Sequence, residues 1–324
     1  MGFLHVSFPI SGVTTNILVP PLVSLVISFF TSMGGISGAF LLLPFQMSAL
    51  NYTAPSVSGT NHVFNIVAIP SGVYRYIKEG RMAWPLTWVV IAGTLPGVFL
   101  GYYLRVLYLP DPRVFKLFVG CVLLYIGIRI FKELIGGRKA QSPGERAFEE
   151  KFRAAVEENK IQRGAKVAAG LPAEAVVKTV SISPARIEYE FWGERFYFNT
   201  VGMLALAFIV GIIGGAYGIG GGAIIAPFCV AFFRLPVYTI AGATLMGTFI
   251  TSAAGALFFS IIPATGGVSP MPDWPLGVLF GLGGLVGMYL GARTQKFVPQ
   301  KFIKIIVGIA IIVLAIRYIT QYFS

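Results

Sequence analysis

Residues 34–45, GGISGAFLLLPF, return in altered form as residues 217–228, YGIGGGAIIAPF. At an offset of 183 residues Gly35, Ile36, Gly38, Pro44, Phe45, Gly59 and Gly72 meet Gly218, Ile219, Gly221, Pro227, Phe228, Gly242 and Gly255. After a seven-residue insertion in the second copy, Trp84, Pro85, Gly93, Gly97 and Gly101 meet Trp274, Pro275, Gly283, Gly287 and Gly291. Further on, Lys116, Gly120, Ile128 and Arg129 meet Lys304, Gly308, Ile316 and Arg317. Identities kept in one order over such a distance indicate an internal duplication, and the rest of the chain is read around it.

Each copy is embedded in apolar sequence. Of the 324 residues 56% are hydrophobic and only 12% charged, with a mean hydropathy of +0.77; soluble domains carry about 25% charged residues. Apolar runs occupy 17–50, 57–77, 84–107 and 112–135, then 200–233, 240–262, 275–297 and 301–322. A spanning helix needs about 20 apolar residues, so the expected fold is an all-α polytopic membrane protein. It would hold about eight hydrophobic helices in two homologous four-helix repeats. The expected boundaries are 1–135 for the first repeat, 136–198 for a soluble insert and 199–324 for the second repeat.

Charge adds little to that picture. The net charge is +12, but the excess lies in short loops beside apolar runs, where membrane orientation and anionic lipid account for it. No basic stripe interleaved with aromatics appears, so nucleic acid is not an expected partner. Cys121 and Cys229 sit apart within apolar runs and read as small buried hydrophobes. Loops 105–116 and 293–304 are both rich in Lys and Arg, which favours parallel repeats, while loop 75–83 carries Arg75, Lys78 and Arg81 and favours the opposite side. If the first run of each half is re-entrant, the repeats become inverted; the sequence leaves both arrangements open, and homo-oligomerisation as well.

Within the insert, Phe148, Phe152, Ala155 and Val156 mark one face of an amphipathic helix over 143–160. The alternating RIEYEFWGERFYF of residues 186–198 predicts a β-hairpin around Trp192-Gly193. A linker packed on the membrane domain is the plain reading of this segment, and a regulatory or partner-binding role the alternative.

The first run of each half has about 34 residues, roughly 50 Å as a continuous helix against a hydrocarbon core of about 30 Å. Glycines crowd the middle of both, so each first helix is expected to break there. Broken backbone at membrane depth must line protein or a watery cavity, and a restarted helix aims free N–H groups and partial positive charge at whatever lies there. Gly35, Ser37 and Gly38, with Gly218, Gly220 and Gly221, are therefore candidate backbone donors to a small anion. Thr60, Asn61, His62 and Asn65, with Thr244 and Thr248, are candidate side-chain donors. The competing reading is that the glycines let two helices touch. That reading is preferred for the four-residue ladders Gly93, Gly97, Gly101 and Gly283, Gly287, Gly291.

Several classes of chemistry find no residues. Outside the insert the only acids are Glu79, Asp111, Glu133 and Asp273, all at loops or helix ends, so carboxylate relays inside the spans are not expected. No H-E-x-x-H, P-loop or paired-acid pattern occurs, so no enzyme activity, catalytic residue, metal site or cofactor is expected. A duplicated apolar bundle with a site between its halves is a common plan of secondary transporters; the alternatives are a carrier or channel for another small solute, or a membrane sensor or assembly protein acting through the insert.

The pairing of GGISGAFLLLPF at 34–45 and SGTNHVFN at 58–65 with YGIGGGAIIAPF at 217–228 and AGATLMGT at 241–248 resembles the TauE/SafE family of sulfite and organosulfonate exporters. The likeness covers both halves but not the insert. It implies a carrier in the plasma membrane that moves small sulfur-containing anions such as sulfite, sulfoacetate or thiosulfate. Two features depart from the pattern: the long insert, and Asn61-His62 standing where the second half has Thr244-Leu245.

Overall fold

The computed structural model describes residues 4–33, 37–78, 80, 82–136, 176–191, 193–233, 235, 237–263, 269–294 and 300–323. A β-hairpin comes first, β1 (His5–Phe8) and β2 (Val13–Asn16). Helices α1 (Val19–Met33), α2 (Ala39–Ser48), α3 (Ser56–Ala68), α4 (Pro70–Lys78), α5 (Trp84–Tyr103) and α6 (Pro112–Gly136) follow. A three-stranded antiparallel sheet, β3 (Lys178–Ile182), β4 (Arg186–Phe191) and β5 (Glu194–Asn199), precedes the remaining helices. These are α7 (Thr200–Tyr217), α8 (Gly222–Phe233), α9 (Val237–Ile261), α10 (Trp274–Thr294) and α11 (Gln300–Phe323).

The protein is mainly helical, and among the described residues five helices are long and apolar enough to cross a membrane: Trp84–Tyr108, Pro112–Lys132, Thr200–Tyr217, Thr239–Ile261 and Trp274–Thr294. Both long first runs are interrupted. Asn199 caps α7 by accepting from the Gly202 amide at 2.6 Å. The helix ends on Gly218 at φ +87°, where the Gly214 carbonyl accepts from the Gly218 and Ile219 amides at 2.9 and 3.0 Å. That left-handed stop suits a residue without a β-carbon. After Gly220, also at positive φ (+72°), α8 folds back along α7, bringing Cys229 to 3.8 Å from Met203. The first run parallels this: α1 stops at Met33, and Gly38, before α2, lies against Ser28 of α1. Run 57–77 is likewise divided, because Pro70 starts a new helix after α3.

The glycine ladders are contact surfaces. Gly93, Gly97 and Gly101 of α5 meet Ala207, Phe208 and Ile212 of α7 in order, so these two helices run parallel. Gly283, Gly287 and Gly291 of α10 meet Pro21, Leu25 and Phe29 of α1, again parallel. In contrast α6 and α11 are antiparallel, with Gly120 on Ile319 and Gly127 on Ile312. So are α3 and α9, which cross at the centre with His62 on Gly255 and Asn65 on Ser252.

The hairpin expected over 186–198 is present as β4 and β5, turning at Gly193 (φ +74°), with β3 added beside it. Ile187, Tyr189 and Phe191 alternate inward, and the Tyr189 hydroxyl lies 2.8 Å from Thr239 Oγ1 on α9. The helix expected over 143–160 lies outside the described residues. The N-terminal hairpin was not anticipated. It buries Phe8 and Val13, and its Ser11 binds Asp273 at the start of α10 through N–H and hydroxyl at 3.0 and 2.8 Å.

A β-carbon at Gly287 would lie 2.3 Å from the Leu25 carbonyl oxygen, so Gly287→Ala must push α1 and α10 apart. The detergent-solubilised variant is expected to melt below the parent, while Gly72→Ala, whose nearest contact is Leu245 Cδ1 at 3.5 Å, melts with it or slightly above. Equal melting of Gly287→Ala and parent would contradict the backbone contact.

Candidate functional site

Helix α3 is the centre of the site because its polar residues recur at helical spacing. Ser58, His62 and Asn65 share the face toward α7 and α8, and every residue from Ser56 to Asn65 is buried. Ser58 Oγ donates to the Ala216 carbonyl at 2.9 Å. Asn65 Nδ2 donates to the Ile219 carbonyl and to Ser252 Oγ, both at 3.0 Å. Its Oδ1 accepts from Ser37 Oγ at 2.6 Å. One amide thus joins the break before α2, the break before α8 and helix α9. Asn61 holds the first break from another side, donating to the Ala39 carbonyl at 3.0 Å and accepting from Gln46 Nε2 at 3.4 Å.

The second half lines the break differently. Thr244 and Thr248 donate to the Ala241 and Thr244 carbonyls of their own helix at 3.1 and 2.8 Å. Their hydroxyl protons are spent there, and what they offer outward is an oxygen lone pair. The restart of α8 presses on this helix, since a β-carbon at Gly222 would lie 2.1 Å from the Thr244 carbonyl oxygen and 2.6 Å from Thr248 Oγ1. Gly220 sits against Ser252 and Thr248, and the Gly221 amide donates to Thr251 Oγ1 at 3.3 Å. The Gly218 amide is occupied by Gly214.

Of the sequence candidates, Ser37, Gly38, Asn61, His62, Asn65, Gly218, Gly220, Gly221, Thr244 and Thr248 gather around the α3–α9 crossing. Gly35 lies outside the described residues. Thr60 stands apart. It donates to the Ser56 carbonyl, accepts from the Asp273 amide at 2.8 Å and meets the Tyr52 hydroxyl at 2.9 Å, so it fastens α3 to the start of α10. Arg129 lies beside Phe232 and Arg317 is exposed, both away from the crossing.

The site is closed and almost saturated with internal hydrogen bonds. The buried side-chain atoms left without one, among the described residues, are Ser28 Oγ, Gln46 Oε1 and both ring nitrogens of His62. The imidazole lies against Gly255 and 5.9 Å from the Phe259 ring. The Gly215 main chain faces it without a hydrogen bond of normal geometry to either nitrogen. Unpaired polar atoms in an apolar interior cost about 1–3 kcal/mol each, so His62 is a group in need of a partner.

Sequence reading missed Arg105, which it placed in a basic loop. The side chain is fully buried on the π-helical turn Leu104–Tyr108 that ends the α5 span. Its position could have been inferred: four residues past Gly101, it continues the ladder that faces α7. Gln46 was also overlooked as a partner of Asn61.

The family model described as "Sulfite exporter TauE/SafE" matches residues 21–318. The chain belongs to the TauE/SafE family. This TauE/SafE chain is also 23% identical over 297 residues to the probable membrane transporter protein YunE of Bacillus subtilis (strain 168), covering 90% of this chain and 92% of that protein. No solved structure matches. Family and apolar helices together make it a multi-pass membrane protein of a transporter family.

Asn65→Ala removes three hydrogen bonds and strands the Ile219 carbonyl and the Ser37 hydroxyl. Bonds inside membrane bundles average about 0.6 kcal/mol, with a maximum near 1.7, so a loss of about 2 kcal/mol is expected, read as a lower thermal midpoint. Asn61→Ala, which loses one good bond and one long one, is expected to fall less; the reverse order would argue against Asn65 as the central tie.

Proposed function

We propose that this protein is a secondary carrier that exports small sulfur-containing oxyanions, such as sulfite, sulfoacetate or thiosulfate, across the plasma membrane. The single observation that carries this reading is the meeting of two interrupted helices at one buried amide, Asn65. Backbone breaks at membrane depth persist only where protein or a watery cavity satisfies the freed groups, and in secondary transporters they commonly mark the substrate site. Where α2 and α8 restart, the Ala39, Phe40 and Gly221 N–H groups are held by Ser37 and Thr251 rather than by carbonyls of their own helices, partners that an anion would replace. Direction and substrate class rest on the family's description.

The carrier is read as two inverted homologous halves that rock against each other. Support comes from helix directions: α1 lies parallel to α10 and α7 to α5, while α3 opposes α9 and α6 opposes α11. Each re-entrant pair also follows a β-hairpin, β1–β2 before α1 and β4–β5 before α7. Phe8 and Phe191 are buried in matched positions, and Asn16 and Asn199 each accept from a backbone amide just beyond their strand. On this reading loop 75–83 and the sheet share the side facing the cytoplasm, since loop residue Gly80 accepts from the Val177 amide at 3.0 Å.

No Asp or Glu lies in the five spans, so a coupling proton would travel on His62 or on the substrate itself. In proteoliposomes the parent is expected to move sulfite saturably, with at least about tenfold slower movement in His62→Ala. Single cysteines at the exposed positions Ser7 and Ala185 should react with an impermeant maleimide from opposite sides. Absence of any oxyanion flux would end the transport reading, and labelling from one side would end the inverted arrangement.

A further inference from the structure

Two formally charged side chains are fully buried among the described residues, Arg105 and Asp273. Asp273 has a structural account. One carboxylate oxygen accepts from Ser11, the other caps α10 at the Leu276 amide at 3.2 Å, and it forms no ion pair with Arg105. Among the described residues Arg105 has neutral partners only. Its Nε donates to Ser58 Oγ at 3.3 Å, Nη1 to the Leu109 carbonyl and Nη2 to the Thr53 carbonyl at 3.2 Å. The guanidinium carbon sits 3.7 Å from the centre of the Phe115 ring. A buried cation without a counter-ion at the end of a span is expensive, and such residues mark ion pathways.

The arrangement suits an oxyanion. A guanidinium has five N–H donors, and three are engaged here, leaving one on each terminal nitrogen. Stacking on Phe115 fixes the plane, so those donors form the planar fork that binds two oxygens at once. The carbonyls that hold the other two terminal N–H groups, Thr53 and Leu109, belong to the chain between α2 and α3 and to the end of the π turn, segments outside regular α-helix. Ser58 ties the site to the carrier's centre, because the hydroxyl that accepts from Arg105 donates to Ala216, two residues before the break at Gly218.

We propose that Arg105 is an oxyanion-binding residue at the mouth of the pathway remote from the sheet, which substrate reaches along Ser58 from the break at 218–221. The inference rests on the transport reading above and adds its charged recognition element. At the offset of the glycine ladders Arg105 aligns with Gln295.

The test uses the full chain in proteoliposomes, comparing the parent with Arg105→Gln and Arg105→Lys over a range of sulfite concentrations. Melting in detergent is followed with sodium sulfite or with sodium chloride of equal ionic strength. Arg105→Gln is expected to raise KM for sulfite about tenfold or more, with a smaller change in kcat, and to abolish the sulfite-specific rise in melting temperature. Arg105→Lys, which keeps the charge and loses the fork, should fall between, and it carries the test if the glutamine variant does not fold. Variants that melt lower yet keep the parent's KM and the parent's sulfite-specific shift make Arg105 a structural clamp and overturn the proposal while the transport reading stands. Absence of flux in the parent overturns the transport reading itself, and the melting shift then still decides whether Arg105 binds sulfite.

Discussion

Main-chain polar groups cannot be left bare in an apolar interior, and that constraint organises the whole molecule. Two helices are interrupted in mid-bundle, and the groups thereby released must find partners that are not their own helix. Helix α3 meets the demand with side chains: Ser58 answers Ala216, Asn61 answers Ala39, and Asn65 answers Ile219. From α9, Thr251 answers the Gly221 amide. A polar helix such as α3 is tolerable inside a membrane protein only because those acceptors are there to receive it.

The glycine ladders follow from the same demand. Side chains as short as Ser and Asn reach a neighbouring backbone only if the helices stand close. Along α5–α7 and α1–α10 the spacing is so small that one β-carbon would overlap a carbonyl oxygen. Packing and site are therefore one design, in which small residues bring the walls together and amides bridge what remains. Its rigidity is limited, because the bridges are neutral hydrogen bonds worth little each. A rocking carrier needs contacts that are specific in geometry and cheap to exchange.

Much of this was legible in the residues. Glycine spacing and order point to a duplication, and the length of runs 17–50 and 200–233 against a bilayer forced the breaks. Alternation over 186–198 forecast a hairpin. Other features were hidden for physical reasons. Pro70 divides run 57–77 although hydropathy is continuous across it, because hydropathy does not register a missing N–H. The N-terminal hairpin is too short to show a period, and what anchors it is Ser11 meeting a carboxylate far along the chain at Asp273. Thr60 and Asn61 are neighbours of similar chemistry, yet one fastens helix ends and the other a broken helix, a difference that depends on which way each faces. Arg105 was obscured by its basic neighbours, whose loop position suggested the usual explanation for positive charge.

The halves match in outline and differ in polarity. Helix α3 presents Ser58, Asn61, His62 and Asn65 where α9 has Ala241, Thr244, Leu245 and Thr248. The amides of α3 reach across to other segments, whereas the threonines turn back onto their own helix. The two mouths differ in the same sense. One contains a cation stacked on Phe115, and the other is covered by a neutral pair, Tyr189 with Thr239. On the proposed reading an anion meets unequal fields on the two sides. Such inequality cannot drive net movement, since linkage requires that the gradient alone fix direction. It does set the affinity at each face, and through it the concentration range over which each face fills. A carrier built by duplication would start with equal faces; substitutions confined to α3 and Arg105 are sufficient to make them unequal without altering the shared backbone geometry.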